Sequence, residues 1–142
     1  MSITNLNGSV QQATPIAIQM RDGSWTAFEG GIAPVTATIS SGTSLSGVID
    51  LGIDTAMAIV MPAAWTAAAV TFQVSLDNVT WSNLKNKSDD SEYTCTVSQG
   101  NSYTLPFTDF VPYRYIKIRS GTAATPVNQA ADRIVTIAAR NV

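Results

Sequence analysis

The sequence predicts an all-β protein: an antiparallel β-sandwich of about eight strands, jelly-roll-like, preceded by an N-terminal arm and a β-hairpin. Three observations predict this fold. Apolar and polar residues alternate over short segments, as in strands with one buried face. Turn residues separate these segments at regular intervals. The sequence lacks a long helical pattern that could connect parallel strands, so we expect the strands to pair antiparallel.

The first 31 residues are predicted to form a separate N-terminal region. Residues 1–12 are mostly polar, which is typical of an arm. In residues 16–28, alternating apolar positions flank Asp22-Gly23, a strong signal for a tight hairpin turn. A Glu-Gly-Gly sequence then marks a boundary. We therefore expect residues 1–31 to serve anchoring or assembly, and residues 32–142 to form the sandwich.

The clearest strand pair in the second region spans residues 70–84. Apolar residues alternate with polar ones from Val70 to Leu76. Asp77-Asn78 tolerates positive φ angles and predicts a two-residue turn. The returning strand carries Trp81, which we expect to pack between the two sheets.

The remaining segments follow the same alternation of short strands and turns. Strands are expected around residues 35–39, 45–51, 57–61, 93–98, 103–107, 113–119 and 133–139. Residues 62–69, which contain Trp65, are predicted to be a connection, and residues 85–91 a polar surface loop.

The composition indicates which kinds of partner to expect. Charged residues make up 13% of the chain, against about 25% in typical soluble domains. Either neighbouring subunits cover much of the surface, as in a homo-oligomer, or the chain is a small secreted β-domain rich in Thr and Ser. With 8 basic residues and no nucleic-acid motif, we expect no nucleic-acid partner. No apolar run is long enough to predict a membrane span.

The residue types also argue against an enzyme. Histidine is absent, which removes the commonest general base and metal ligand and all Ser/His or Cys/His pairs. The single cysteine, Cys95, forms no intramolecular disulfide and alternates with apolar residues, as a small buried hydrophobe does. The N-terminus lacks a signal-peptide pattern, so we expect synthesis in a reducing cytoplasm. No catalytic residue and no cofactor are predicted.

Acidic residues provide one weak candidate for a metal site. Asp89-Asp90-Ser91-Glu92 offers oxygen ligands, but calcium needs about six to eight oxygens that converge from several loops. A solvated acidic loop is the favoured interpretation, and no metal site is predicted. Nothing in the spacing sets two carboxylates at the separation that glycoside hydrolysis requires.

Three segments resemble small virion proteins of tailed phages: residues 61–81, 113–122 and 129–137. The shared features are Phe-x-x-Ser-x-Asp-x-x-Thr-Trp from Phe72 to Trp81 and Arg-Tyr-Ile-x-Ile from Arg114 to Ile118. The family has a single β-sandwich distantly similar to discoidin-type (F5/8 C-like) domains. The resemblance covers roughly residues 36–140, and Asn78 stands where glycine is commoner in that turn.

The resemblance implies a structural role in the virion, as a capsid decoration protein, a head fibre or spike component, or a tail-associated protein. Capsid or other virion proteins would be its partners. The alternative is a carbohydrate-binding module or tail adhesin that binds a host surface glycan, because discoidin-like domains bind sugars through loop aromatics. The candidate contacts are Trp25, Trp65, and Tyr113 or Tyr115, for which packing in the core or a subunit interface is the other interpretation.

Overall fold

The computed structural model describes residues 17–19, 25–27 and 32–142. The chain divides into two compact units, residues 1–31 and 32–142. The described part of the first unit consists of two short antiparallel strands, β1 (Ala17–Gln19) and β2 (Trp25–Ala27). This pairing confirms the predicted hairpin, whose turn lies outside the described residues. The proposed anchoring role of this unit stays a prediction.

Residues 32–142 form eight strands in two four-stranded sheets, with one 3-10 turn at Phe107–Asp109. The strands are β3 (Ile32–Ile39), β4 (Ile49–Asp50), β5 (Thr55–Val60), β6 (Val70–Ser75), β7 (Ser82–Asn83), β8 (Ser102–Thr104), β9 (Tyr115–Ser120) and β10 (Arg133–Arg140). Sheet 1 has the order β3-β10-β5-β8, and sheet 2 has the order β4-β9-β6-β7.

The order of the strands gives a jelly roll. All neighbouring strands are antiparallel. Only β6 and β7 follow each other within one sheet, whereas every other connection crosses from one sheet to the other. This arrangement confirms the predicted antiparallel sandwich, including its jelly-roll character.

The core lies between the two sheets and is built from alternate residues of the long strands. Phe72 at the centre of β6 is fully buried, and its ring meets that of Phe110 edge to face, with 5.2 Å between the centroids. Tyr93 packs against Phe110 in the same way at 5.6 Å. The sequence places Tyr93 in a strand, but residues 93–98 form only a single bridge, between Cys95 and Val70.

The predicted two-residue turn at Asp77-Asn78 is wrong. Val74 pairs with Ser82 and β6 ends at Ser75, so residues 76–81 form a wider loop. A carboxylate oxygen of Asp77 accepts hydrogen bonds from the backbone N–H groups of Val79 (2.9 Å) and Thr80 (2.8 Å). These side-chain hydrogen bonds stabilise a longer loop, which the presence of two turn-forming residues does not predict. Asn78 does adopt the expected positive φ, 63°.

The predicted position of Trp81 between the sheets is also wrong. Leu84 points into the core, so the alternation of side chains along the returning segment places Trp81 on the outer face of sheet 2. Its indole is half-buried there, with the Lys117 ammonium 4.3 Å from the ring centroid. This is a cation–π contact at the surface.

The two aromatic positions should differ sharply in their contribution to stability. We expect Phe72→Ala to lower the free energy of unfolding by about 3–5 kcal/mol because it opens a cavity in the core. Trp81→Ala should cost on the order of 1 kcal/mol, since it removes a surface cation–π contact. Urea unfolding midpoints of the two variants check this, and equal losses would contradict the assigned positions.

Candidate interaction surfaces

The structure separates the aromatic residues that the sequence offered as glycan contacts. Trp65 is 7% exposed, belongs to the core, and donates its indole N–H to the carbonyl of Ala68 at 3.0 Å. Tyr113 and Tyr115 are half-buried at the opposite end of sheet 2. For Trp25 only the backbone, in β2, is described. Trp65 is thus a core residue and not an exposed glycan contact. Glycan contact at the other residues stays a prediction.

The acidic run at residues 89–92 is divided among separate partners. Asp89 accepts hydrogen bonds from the backbone N–H and hydroxyl of Ser91, and Asp90 pairs with Lys85 at 3.0 Å. Glu92 points elsewhere, towards Arg119. Among the described residues, no three acidic or cysteine side chains come together as a metal site would require.

The Arg119–Glu92 ion pair is the main polar contact on the outer face of sheet 2. A guanidinium N–H of Arg119 lies 2.9 Å from a carboxylate oxygen of Glu92, and another donates to Asn83 at 2.9 Å. Glu92 also accepts the backbone N–H of Ala123. The two charged side chains are only 8% and 17% exposed. Glu92 therefore fastens the segment before β8 to β9 through Arg119 and to the segment after β9 through Ala123, and the prediction that Glu92 is solvated is wrong.

Gln129 performs a similar structural task at the end of the sandwich that contains Trp65. Its buried amide donates to the carbonyl of Thr66 and the hydroxyl of Ser120. The amide oxygen accepts the backbone N–H of Thr66 and the Nε–H of Arg133. Gln129 could not be identified from the sequence, because an amide side chain carries no signal for the loop to which it will bind.

Cys95 and Tyr93 show the effect of burial on acidity. Burial raises the pKa of the Cys95 thiol. Burial, and then a hydrogen bond and the charge of the nearby Asp109 carboxylate, raise the pKa of Tyr93 strongly. Both shifts favour the neutral form, as expected for side chains that pack against the core.

Apart from Arg140 at the last position of β10, the described outward side chains of sheet 1 are uncharged. The strand registers place ten outward residues in this patch, which we call the charge-free face: Pro34, Thr36, Thr38, Ala58, Val60, Ser102, Thr104, Ile134, Thr136 and Ala138. One complete row across the sheet runs Thr36–Thr136–Val60–Ser102. The outer face of sheet 2, in contrast, carries Asp50, Lys117 and Arg119.

The free edges of the two sheets are poorly suited to adding another strand. β3 is the one long edge strand of the sandwich, and its Pro34 lacks an N–H group. The carbonyl of Thr38, which points to the same side, already accepts the N–H of Gly47 at 3.4 Å. The other edge strands have two or three residues. Since short or blocked edges resist pairing, contacts through a face are favoured over edge-to-edge association.

A second unusual surface lies where β4, β6 and β10 end and β5 and β9 begin. Of the nine large apolar side chains that are exposed in residues 34–142, six lie there. We call them the apolar end: Ile53, Leu76, Val79, Phe107, Val111 and Val142. Ile53, Val111 and Val142, together with Tyr113, line an open groove of about 340 Å³.

Polar contacts hold the loops of the apolar end in place. Asp50 accepts two hydrogen bonds from the guanidinium of Arg114, at 2.8 and 3.2 Å, and one from the N–H of Gly52. These hydrogen bonds lower the pKa of Asp50, and the bond from Arg114 has the largest effect. The N–H groups of Thr80 and Val79 likewise lower the pKa of Asp77. Ionised carboxylates therefore order the loops that expose the apolar side chains.

Comparison with known proteins leaves the family of the chain open. No protein-family model matches the sequence. No curated protein matches it. The solved structures that resemble it include the crystal structure of YomS, an SPBc2 prophage-derived protein, with 12% identity over 80% of this chain and 99% of that chain, and a TM-score of 0.47. A likeness at this level supports no assignment of family or function. In the described part of the chain, no helix is long and apolar enough to span a membrane.

The two Arg–carboxylate pairs differ in burial and should differ in energetic weight. Glu92→Ala leaves the guanidinium of Arg119 buried without its charge partner, so we expect a loss of about 3 kcal/mol or more. Asp50→Ala breaks a pair of similar length whose side chains are half exposed, and should cost much less, because water already solvates both charges. Chemical denaturation measures both, and similar losses would show that Glu92 is not buried as described.

Proposed function

We propose that this chain is a structural protein of a tailed-phage virion, a capsid decoration protein or a component of a head fibre or spike. On this proposal residues 1–31 join the chain to the capsid or to a neighbouring subunit. The sandwich formed by residues 32–142 projects from that attachment and contacts other virion proteins, including copies of itself. Its role is to hold a shape and present surfaces, without catalysis.

The charge-free face is the observation that carries this proposal. The centres of protein–protein interfaces are depleted of charged residues, whereas an exposed sheet face normally bears several. Here Thr, Ala, Ser, Val, Ile and Pro cover four adjacent strands, and the one charged side chain that points outward beside them is Arg140, at the end of β10. A face of this composition loses little when a neighbour removes it from water, because no ion must be desolvated.

The size of the face supports repeated contacts in an assembly over an isolated dimer. Three strand spacings of about 4.8 Å and four residue steps of about 3.4 Å make the patch roughly 14 Å on each side. Such an area is about 200 Å², well below the roughly 800 Å² per partner of a standard interface. Contacts this small become effective where each copy is held by several at once, as in a virion.

Two properties of the sequence support the same proposal. Charged residues make up only 13% of the whole chain, so a low charge is a property of the entire sequence and not of the charge-free face alone. The motifs from Phe72 to Trp81 and from Arg114 to Ile118 carry the resemblance to phage virion proteins. The structure gives both motifs structural tasks, since they form β6 with its loop and the start of β9.

Host attachment through a surface glycan is the second candidate function. The observation that favours it is the pair of half-buried rings of Tyr113 and Tyr115 beside Arg114, whose guanidinium lies 5.1 Å from the ring centroid of Tyr115. The burial of Trp65 weakens this candidate. Binding to a glycan array that is lost in Tyr115→Ala would favour it over a purely structural role.

The decisive experiment examines particles of the phage that encodes the chain. We expect mass spectrometry of purified particles to detect the protein in many copies, and Val60→Lys to lower its copy number severalfold by placing a charge in the charge-free face. Val48→Lys is the matched control, because Val48 is similarly exposed (43% against 38%) but lies outside that face. Particles without the protein would overturn the proposal. Equal incorporation of both variants would show that the charge-free face is not a contact surface in the particle.

A deletion tests the anchoring role of the N-terminal region. The sandwich has its own core, so residues 32–142 expressed alone should give a folded β domain by circular dichroism with a cooperative thermal transition. The same fragment should be absent from purified particles, because it lacks the attachment. Incorporation at the level of the full chain would refute the anchor.

A further inference from the structure

The apolar end has a composition that no contact within the described sandwich explains. Ile53 is 81% exposed and Val79 80% exposed, and both stand in loops where a polar side chain would cost nothing. The loops that carry them are ordered by Asp50 and Asp77, so the apolar side chains are held outwards. An exposed cluster of this kind, rimmed by polar residues, marks an interaction surface.

The position of Ile32 indicates what this surface faces. Ile32 pairs with Arg140, and Arg140 also pairs with Thr55, which lines the groove beside Ile53. The 31 preceding residues therefore join the sandwich at the apolar end.

We propose that the apolar end is seated on the protein surface of the particle to which residues 1–31 attach the chain. This inference rests on the proposed virion function and adds the orientation of the domain. The opposite end, with Trp65 and the Gln129 network, then points away from the particle. The tether raises the local concentration of the sandwich at the surface, so the apolar contact can be weak by itself and still hold the domain upright.

The chemistry of the apolar end specifies a protein partner. Its exposed side chains are mainly aliphatic, which suits an apolar patch on another protein. The charged residues around it are mostly acidic: Asp50, Asp54, Asp77 and Asp109, against Arg114 and Arg140. This balance is opposite to the basic clusters that bind anionic lipid headgroups. An apolar centre with a polar rim is the usual anatomy of a protein interface.

The test uses the purified full chain and particles of the encoding phage prepared with its gene deleted. Ile53→Lys and Val111→Lys each place an ammonium group in the apolar end. We expect each to bind the particles about tenfold more weakly in a cosedimentation assay, the loss typical of a central interface residue. Val48→Lys, the same kind of change at an exposed position elsewhere, should bind within about twofold of the wild type. Thermal unfolding should show that all three variants remain folded.

The outcomes separate this inference from the function on which it rests. Wild-type chain that fails to bind the particles overturns the virion function and the inference with it. Wild-type chain that binds, with both lysine variants at the apolar end binding equally well, overturns the inference alone. A wild-type chain that is dimeric by light scattering, with Ile53→Lys monomeric, identifies a second copy as the occupant and also overturns it. Slower hydrogen exchange at residues 51–54 upon binding supports it.

Discussion

Packing between the inward faces of the two sheets is the interaction on which the rest of the structure depends. Phe72 lies at its centre, against Phe110 and beside β9, whose inward residues Ile116 and Ile118 are fully buried. Because side chains alternate along a strand, each inward apolar residue places its neighbours on an outer face. The core therefore determines which residues are outside, while it leaves their chemistry free. The two outer faces therefore differ in the chemistry of their side chains.

The outer face of sheet 1 is uncharged except for Arg140 at the end of β10, and the outer face of sheet 2 contains a nearly buried ion pair. The pair between Arg119 and Glu92 is satisfied by hydrogen bonds to Asn83 and Ala123, which lowers the penalty of removing the charges from water. Its effect is to tie two long connections to one sheet. The outer face of sheet 2 thus binds the loops of the domain itself, whereas the charge-free face of sheet 1 is exposed and available to a neighbour.

The jelly-roll connections sort the loops of the domain into two ends. Since nearly every connection crosses between the sheets, each end contains loops from both sheets. At one end Gln129 joins the loop that contains Thr66 to the loop before β10, which makes that end a closed polar network. At the other end the loops expose Ile53, Val79 and Val111. The two ends of the sandwich therefore present different chemistry. This difference suits a domain that is tethered at one end and exposed at the other.

By itself the sequence determined most of the strands, their antiparallel pairing and most of the core, because alternation and turn residues are local signals that survive without tertiary context. It did not determine the loop at residues 76–81, since hydrogen bonds that the Asp77 carboxylate accepts from backbone N–H groups outweigh the preference for a short turn. The sides taken by Trp81 and Glu92 were likewise decided by the tertiary structure: the register of the returning segment for Trp81, and a partner 27 residues away for Glu92. The charge-free face and the apolar end could not be predicted because each is assembled from strands or loops distant in the chain. The composition gives the number of charged residues, whereas the order and register of the strands determine which surfaces lack them.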